Sequence, residues 1–388
     1  MIEENLNKAI LDWQRYPWSN KIPKDVFLNY LLPYKVLNEN PDHWRKKIYE
    51  KYKDTICYYK QKSLTDPKLL YSSLRKDAWS WLEYTDKYIK MTRYPSSAEL
   101  LAIKKGECFE LSHLFVYIAR AAGIPSTIDI VPMWGKTNGS HASEVFYGQI
   151  GENKTRKEYG FRSWDSFKEP SKVFRISFKR TNLLQDSIIP LIRREKHFIP
   201  NFLKSNHLLD VTNEHTSTID IVYTFQSPMK SSLAYICVYS YGEWKPIFYG
   251  KTFVNGKYVK FNNMGKDIIY HIAIPDGNSY KLTDSPFLLD SLGRKIYSKP
   301  NFRTKQDIIV KKINSGKQSL IKKNQLYTLK YLNENNVWKE IETKFSKKDS
   351  TLSFNNVPTG AFLKLDEKNA KIQLSRIFIY NLKKQIWY

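Results

Sequence analysis

The hydrophobic rhythm of this chain changes twice, and the changes leave few architectures open. Up to about residue 125 apolar positions recur at helical spacing, as in Ala9-Ile10-Trp13, Val26-Phe27-Tyr30-Leu31 and Ala78-Trp81-Leu82. Pro17, Pro23, Pro33, Pro41, Pro67 and Pro95 fall between these runs and punctuate the helices. After Gly123-Ile124-Pro125 the pattern turns strand-like in Thr127 to Val131, Ala142 to Tyr147 and Lys172 to Phe178. From about residue 205 helical spacing disappears, and alternation such as Thr218-Ile219-Asp220-Ile221-Val222-Tyr223 recurs between turn residues. The chain therefore reads as α+β, with a mixed region over 1–204 followed by all-β sequence. At about 100–200 residues per domain, 388 residues leave room for two or three domains.

A weak internal repeat divides the β half. Gly242-Glu243-Trp244-Lys245 with Lys260-Phe261-Asn262-Asn263 is echoed by Asn336-Val337-Trp338-Lys339 with Ser353-Phe354-Asn355-Asn356. This period fits two sandwich-like domains, over 205–299 and 300–388, better than one large jelly roll. Trp244 and Trp338 then fit sandwich cores better than platforms for stacking on sugars, which leaves glycan contact through the β domains as a secondary expectation.

Charge and cysteine usage exclude several classes. Lys and Arg number 63 against 38 Asp and Glu, a formal +25, but the excess is spread evenly as +12 over 1–204 and +13 over 205–388. No basic block stands out, which argues against a nucleic-acid surface. Cys57, Cys108 and Cys237 are odd in number and far apart, so they form neither a disulfide framework nor a CxxC metal site. No 18-residue apolar span is present, and Glu3, Glu4, Asp12 and Arg15 stand where a signal peptide needs an apolar core. A leader removed upstream of Met1 would leave the same start.

The window with the most chemistry is Lys105-Gly106-Glu107-Cys108-Phe109-Glu110-Leu111-Ser112-His113, running into the apolar helix that ends at Arg120-Ala121-Ala122-Gly123-Ile124-Pro125. A Cys just after a Gly and opening a helix sits where the helix dipole and free N–H groups favour a thiolate and can receive an oxyanion. Such a nucleophile needs an imidazole base and a group to orient it. His141, at the mouth of a strand in Gly139-Ser140-His141-Ala142, and Asp165, in Ser163-Trp164-Asp165-Ser166, follow in that order. Cys57 and Cys237 lack this context and are expected to be inert core thiols, and His113 is expected to be a packed or solvated residue.

These motifs resemble the transglutaminase-like core: Gly-x-Cys108 with Glu110, Ser112, Leu114 and the closing Arg120-x-x-Gly123-Ile124-Pro125, then Gly-Ser-His141-Ala. Asp25 to Tyr34 and the ending Arg376 to Tyr380 with Gln385-Ile386-Trp387 are similar to transglutaminase-domain proteins of Bacteroidota. The resemblance implies a papain-like fold with N-terminal helices that attacks peptide or glutamine-type amides through a thioester on cysteine. It implies no metal and no cofactor, a Cys108, His141, Asp165 triad, peptide or protein substrates, and an exported or cell-envelope setting. Trp79 or Trp81 would be candidates for a second oxyanion donor and Trp134 for the wall of a substrate groove, with plain packing the simpler role for each. Ser143 replaces the Trp usual after the His, which implies a smaller wall beside the imidazole, and the polar stretch 151–158 leaves the register of the acid open. The competing expectation is a catalytically degenerate scaffold of the same fold that only holds a peptide or glycan.

Overall fold

Helices form first because their apolar stripes are regular. The computed structural model of the chain describes residues 1–85, 93–150, 159–163, 167, 169–181, 198–316, 319–347 and 351–388. Helix α1 (Ile2–Arg15) packs on α2 (Trp44–Gln61), and α2, α3 (Lys68–Trp79) and α4 (Ser97–Ile103) pack against α5 (Cys108–Ala121). In α2 the residues Trp44, Ile48, Tyr52 and Ile56, four apart, form the buried stripe. From Leu111 to Ala121 every residue of α5 is buried, the mark of a helix enclosed on all sides. The helical expectation at Val26–Leu31 is met by one α turn, Lys24–Val26, running into a π-helix, Phe27–Leu31.

Two glycines of the Cys window are required by contact. A Cβ on Gly106 would lie 2.5 Å from Glu110 Cβ, so only glycine lets the strand before α5 cross its first turn. Gly123, at φ +74°, ends α5 in the left-handed conformation, and a Cβ there would strike the Tyr16 ring. Buried Arg120 donates to the carbonyls of Ser126 and Lys35 at 3.0 Å each, and buried Arg45 to those of Arg120 and Leu31 at 2.7 and 2.8 Å. Burial lowers both guanidinium pKa values, to about 10 for Arg120 and about 9 for Arg45. These two side chains fasten the N-terminal segment to the C-terminal end of α5.

After a two-residue parallel pair, β1 (Glu83–Tyr84) with β2 (Lys105–Gly106), comes an antiparallel sheet of β3 (Ser126–Val131), β4 (His141–Gln149), β5 (Tyr159–Ser163), β6 (Phe174–Ile176) and β7 (Leu208–Asp210) in the order β5-β4-β3-β6-β7. Helix α5 packs on β3 and β4. Residues Val131 and His141 pair in register, so the connection 132–140 leaves β3 and delivers His141 as the first residue of β4.

The β half repeats itself in pairing as well as in sequence. It contains β8 (Thr218–Thr224), β9 (Leu233–Ser240), β10 (Glu243–Phe253), β11 (Tyr258–Gly265), β12 (Ile268–Asp276), β13 (Ser279–Leu282), β14 (Phe287–Leu289) and β15 (Lys295–Tyr297). Then follow β16 (Asn301–Val310), β17 (Leu326–Leu332), β18 (Trp338–Phe345), β19 (Leu352–Thr359), β20 (Leu363–Glu367), β21 (Phe378–Asn381) and β22 (Lys384–Trp387). The order β10-β9-β12-β14-β15 recurs as β18-β17-β20-β21-β22, and the pair β8 with β11 recurs as β16 with β19. In the middle region β10 pairs with both β9 and β11, which joins the layers into one eight-stranded sheet, whereas the C-terminal region keeps two sheets.

The Phe-Asn-Asn echo marks the same device in both regions. Asn263 (φ 51°) and Asn356 (φ 59°) sit left-handed beside register shifts, and their N–H groups donate to Asp220 Oδ1 at 2.9 Å and Asp307 Oδ1 at 3.1 Å. Trp244 and Trp338 both pack on Tyr239 at the junction of the two regions, with ring centroids 5.3 and 6.5 Å from it. Their packing there gives the glycan expectation no support. No helix among the described residues is long and apolar enough to cross a membrane.

Candidate active site

Cys108 is the first residue of α5 and is half-buried. The backbone N–H groups of Ala142 and Phe109 lie near enough to its sulfur to favour the thiolate. Ser112, one turn further along α5, donates to Ala142 O at 3.2 Å and fixes the helix against the start of β4. The nucleophile candidate thus meets β4 at the peptide that immediately follows His141. Cys237 is fully buried, and burial alone drives its thiol far above the ordinary range.

Two expectations about cysteine need correction. Cys57 is exposed, because the buried stripe of α2 passes through Ile56 and leaves its neighbour on the solvent side. The thiol of Cys108 is raised above its ordinary value, not depressed. Burial is the largest cause, and the Glu107 and Glu110 carboxylates add to it, together outweighing the Ala142 and Phe109 N–H groups that favour the thiolate. Against burial the helix terminus is weakened further by an acid at its N-cap and another in its first turn, with Glu110 Oε2 accepting from Glu107 N at 3.1 Å.

This balance makes a measurable difference. The substitution Glu107→Gln removes one of the charges opposing the thiolate, so iodoacetamide should alkylate Cys108 about two- to fivefold faster at pH 7.5. The rate should be read in a Cys57→Ser background, since Cys57 is exposed. An unchanged rate would show that burial alone sets the thiol.

The His141 ring is walled by aromatics. Trp134 stacks on it at 5.7 Å and 24°, and Phe167 meets it edge-on at 5.6 Å. Ser143 in place of Trp therefore does not leave the imidazole with a smaller wall, because Trp134 from the preceding loop supplies one. Trp81 donates its indole N–H to Asp77 Oδ2 at 3.2 Å, and Trp79 packs on Phe115 of α5 at 5.4 Å. Neither contact brings an indole N–H to the sulfur. Asp165 and the polar stretch 151–158 lie outside the described residues.

Several supporting groups carried no local sequence signal. Behind Phe167, whose ring lies 4.5 Å from His215, buried Asp129 takes a bidentate pair from Arg175 at 2.8 Å and a bond from His215 Nε2 at 2.7 Å. His113 is fully buried, as a packed residue, with Nε2 3.3 Å from Glu39 Oε1. Glu39 also accepts from Tyr117 Oη and from the N–H groups of Val36 and Leu37. Burial pushes its carboxyl upward, but His113, Tyr117 and Val36 outweigh that and hold it at about 2.

The loop 132–140, which carries Trp134 and delivers His141, is gripped from both β regions. From the middle region Ser240 Oγ accepts from Gly139 N at 3.2 Å, and Tyr241 N donates to Asn138 Oδ1 at 3.1 Å. From the C-terminal region Arg376 Nη2 donates to Gly135 O, Ser315 Oγ donates to Lys136 O at 2.8 Å, and Leu374 O accepts from Asn138 Nδ2 at 2.8 Å. Gly135 is pressed on Ile268 of β12, where a Cβ would lie 2.4 Å from Cδ1.

A half-buried cysteine that opens a helix packed on a histidine-led strand is an arrangement that suits a thiol nucleophile with an imidazole base. Residues 57–165 match the model of the transglutaminase-like superfamily, so the chain carries a transglutaminase-like core that includes Cys108 and His141. Among solved structures, a candidate cysteine protease from Cytophaga hutchinsonii is 14% identical, covering 39% of this chain and 60% of that one, with a TM-score of 0.26. The transglutaminase of red sea bream is 10% identical, covering 91% of this chain and 78% of that one, with a TM-score of 0.29. The chain thus spans 60% of the length of the Cytophaga protein. No curated protein matches it in sequence.

Proposed function

We propose that this protein is a cysteine acyl-transfer enzyme that opens peptide or glutamine-type amides, with water as the usual acceptor. The observation that carries this reading is the placement of half-buried Cys108 at the start of α5, a helix that Ser112 ties to Ala142 O, next in chain to His141 at the opening of β4. The family match over residues 57–165 supports it. In this reading Cys108 attacks the amide carbonyl as its proton passes to His141, and a thioester forms. His141 returns the proton to the departing amine, and Asp165 orients the ring. Water, deprotonated by His141, then attacks the thioester, releasing the acid and restoring the thiol. Backbone N–H groups at the start of α5 face the developing oxyanion.

Because burial and two acids favour the protonated thiol, ionisation of Cys108 is coupled in this reading to arrival of the carbonyl. The same raised thiol is what favours the competing reading, a degenerate scaffold that binds peptide without chemistry.

Mixing the protein with p-nitrophenyl acetate separates the two readings. The enzyme should release a burst of about one p-nitrophenolate per chain and gain one acetyl on Cys108 by mass spectrometry. The burst should vanish in Cys108→Ala and fall by about a hundredfold or more in rate in His141→Ala. Acetylation that ignores His141, or that lands only on exposed Cys57, would assign the chain to the scaffold class.

A further inference from the structure

A cleft of about 620 Å³ adjoins the site, and its walls include Phe109, next in chain to Cys108, and Ser140, which precedes His141. Its volume falls within the roughly 300–1,000 Å³ of pockets that enclose whole small ligands, well beyond the needs of one glutamine side chain. The floor is apolar, formed by Ile130 of β3 and by Phe174 and Ile176 of β6. Half-buried Phe202 and exposed Phe178 extend it toward solvent.

The charged and titratable groups of the lining decide what can enter. Among the described residues the cleft presents Lys35 and His207 and no carboxylate. His207 is held in place by the contact of its Nδ1 with Ser177 O at 3.1 Å. A cationic amine arriving here would find no counter-ion and would lose hydration against aromatic walls. A large uncharged side chain would exchange water for those walls at a gain.

We propose that this cleft takes the bulky apolar side chains beside the attacked amide, so that the substrate is a peptide with aromatic or large aliphatic residues flanking that bond. The cleft is not a site for an incoming lysine amine, which leaves water as acceptor. This specificity rests on the acyl-transfer reading of Cys108, and the test keeps the two separable.

The full-length protein is assayed with fluorogenic peptides that carry Phe, Leu, Gly or Lys beside the cleavable amide. Phe and Leu peptides should exceed the Gly peptide by about tenfold to a hundredfold in kcat/KM, with the Lys peptide below Gly. Phe178→Glu and Phe202→Ser should each shrink the Phe-to-Gly ratio at least fivefold. In the Cys108→Ala protein, calorimetric binding should rank the same peptides in the same order. Turnover with no apolar preference, or a preference that neither variant changes, overturns the cleft assignment. Apolar peptides that bind in the expected order without any turnover uphold the cleft and overturn the acyl-transfer reading instead.

Discussion

Asp129→Ala should destabilise the catalytic region by about 3–5 kcal/mol, because it leaves the buried guanidinium of Arg175 without its main partner. Asp129 is wholly buried and Arg175 is 3% exposed in its side chain, so water cannot replace the lost carboxylate. Glu214 remains 2.8 Å from Arg175, but it is 43% exposed and holds the cation only from the surface side. Phe161 covers the guanidinium face at 4.2 Å and cannot supply a counter-charge. The substitution also frees His215, whose ring packs against the Phe167 that walls His141. Stability loss should therefore come with a slower acylation burst. Urea unfolding followed by tryptophan fluorescence reads the first effect, and a shift below 1 kcal/mol would show that Arg175 re-pairs.

The same network sets an acid limit. Burial pushes the Asp129 carboxyl upward, but Arg175 and His215 outweigh it and hold it below its ordinary value. A carboxyl depressed in the folded state stabilises above the unfolded pKa of about 4, and that contribution disappears as pH falls through the folded value. Glu39, held at about 2, behaves alike, so the acid loss should run from about pH 4 to about pH 2. Asp129→Asn should be less stable at pH 7 and should lose less on acidification.

Local signals carried the parts of this architecture that were legible in sequence. The Cys108 helix, the strand opening at His141 and the helix-to-strand change after Pro125 all announce themselves within a few residues. So did the Phe-Asn-Asn repeat, because a bulge needs a left-handed Asn at a fixed place in each region. What failed depended on neighbours distant in the chain or on balances of opposing terms. Cys57 looked apolar in context, yet one position around the helix decided its exposure. The Cys108 thiol was read from its helix terminus alone, while burial and two nearby acids set the outcome. The wall beside His141 was sought at position 143, and it came from Trp134 across the loop. The lining of the apolar cleft, assembled from residues 35 to 208, has no linear motif at all.

Arg376→Ala should slow acylation by about tenfold to a hundredfold while changing KM little, although Arg376 lies 241 residues from the carbonyl it holds. Arg376 is 2% exposed, burial lowers its pKa to about 9, and among the described residues Nε and Nη1 have no hydrogen-bond partner. So poorly paired a buried cation adds little to stability, since an apolar residue of similar volume often fits such a space at equal or lower cost. What the guanidinium does provide is a grip on Gly135 O, next to the tryptophan stacked on His141. Loss of that grip leaves the C-terminal region's hold on the loop to Asn138 and Lys136, and the imidazole less well placed for proton transfer. A purely structural role would slow acylation and alkylation of Cys108 together. A positioning role predicts a split, with acylation slowed and iodoacetamide reactivity kept, because the thiol sits on α5 and not on the loop. Arg376→Lys should fall between, since an ammonium reaches one acceptor without the planar fork. Leu382→Ser, at an 85% exposed turn of the same region, should change neither rate. If Arg376→Ala leaves the burst untouched, the guanidinium does not help to hold His141, and the loop is positioned by its other ties to the β regions.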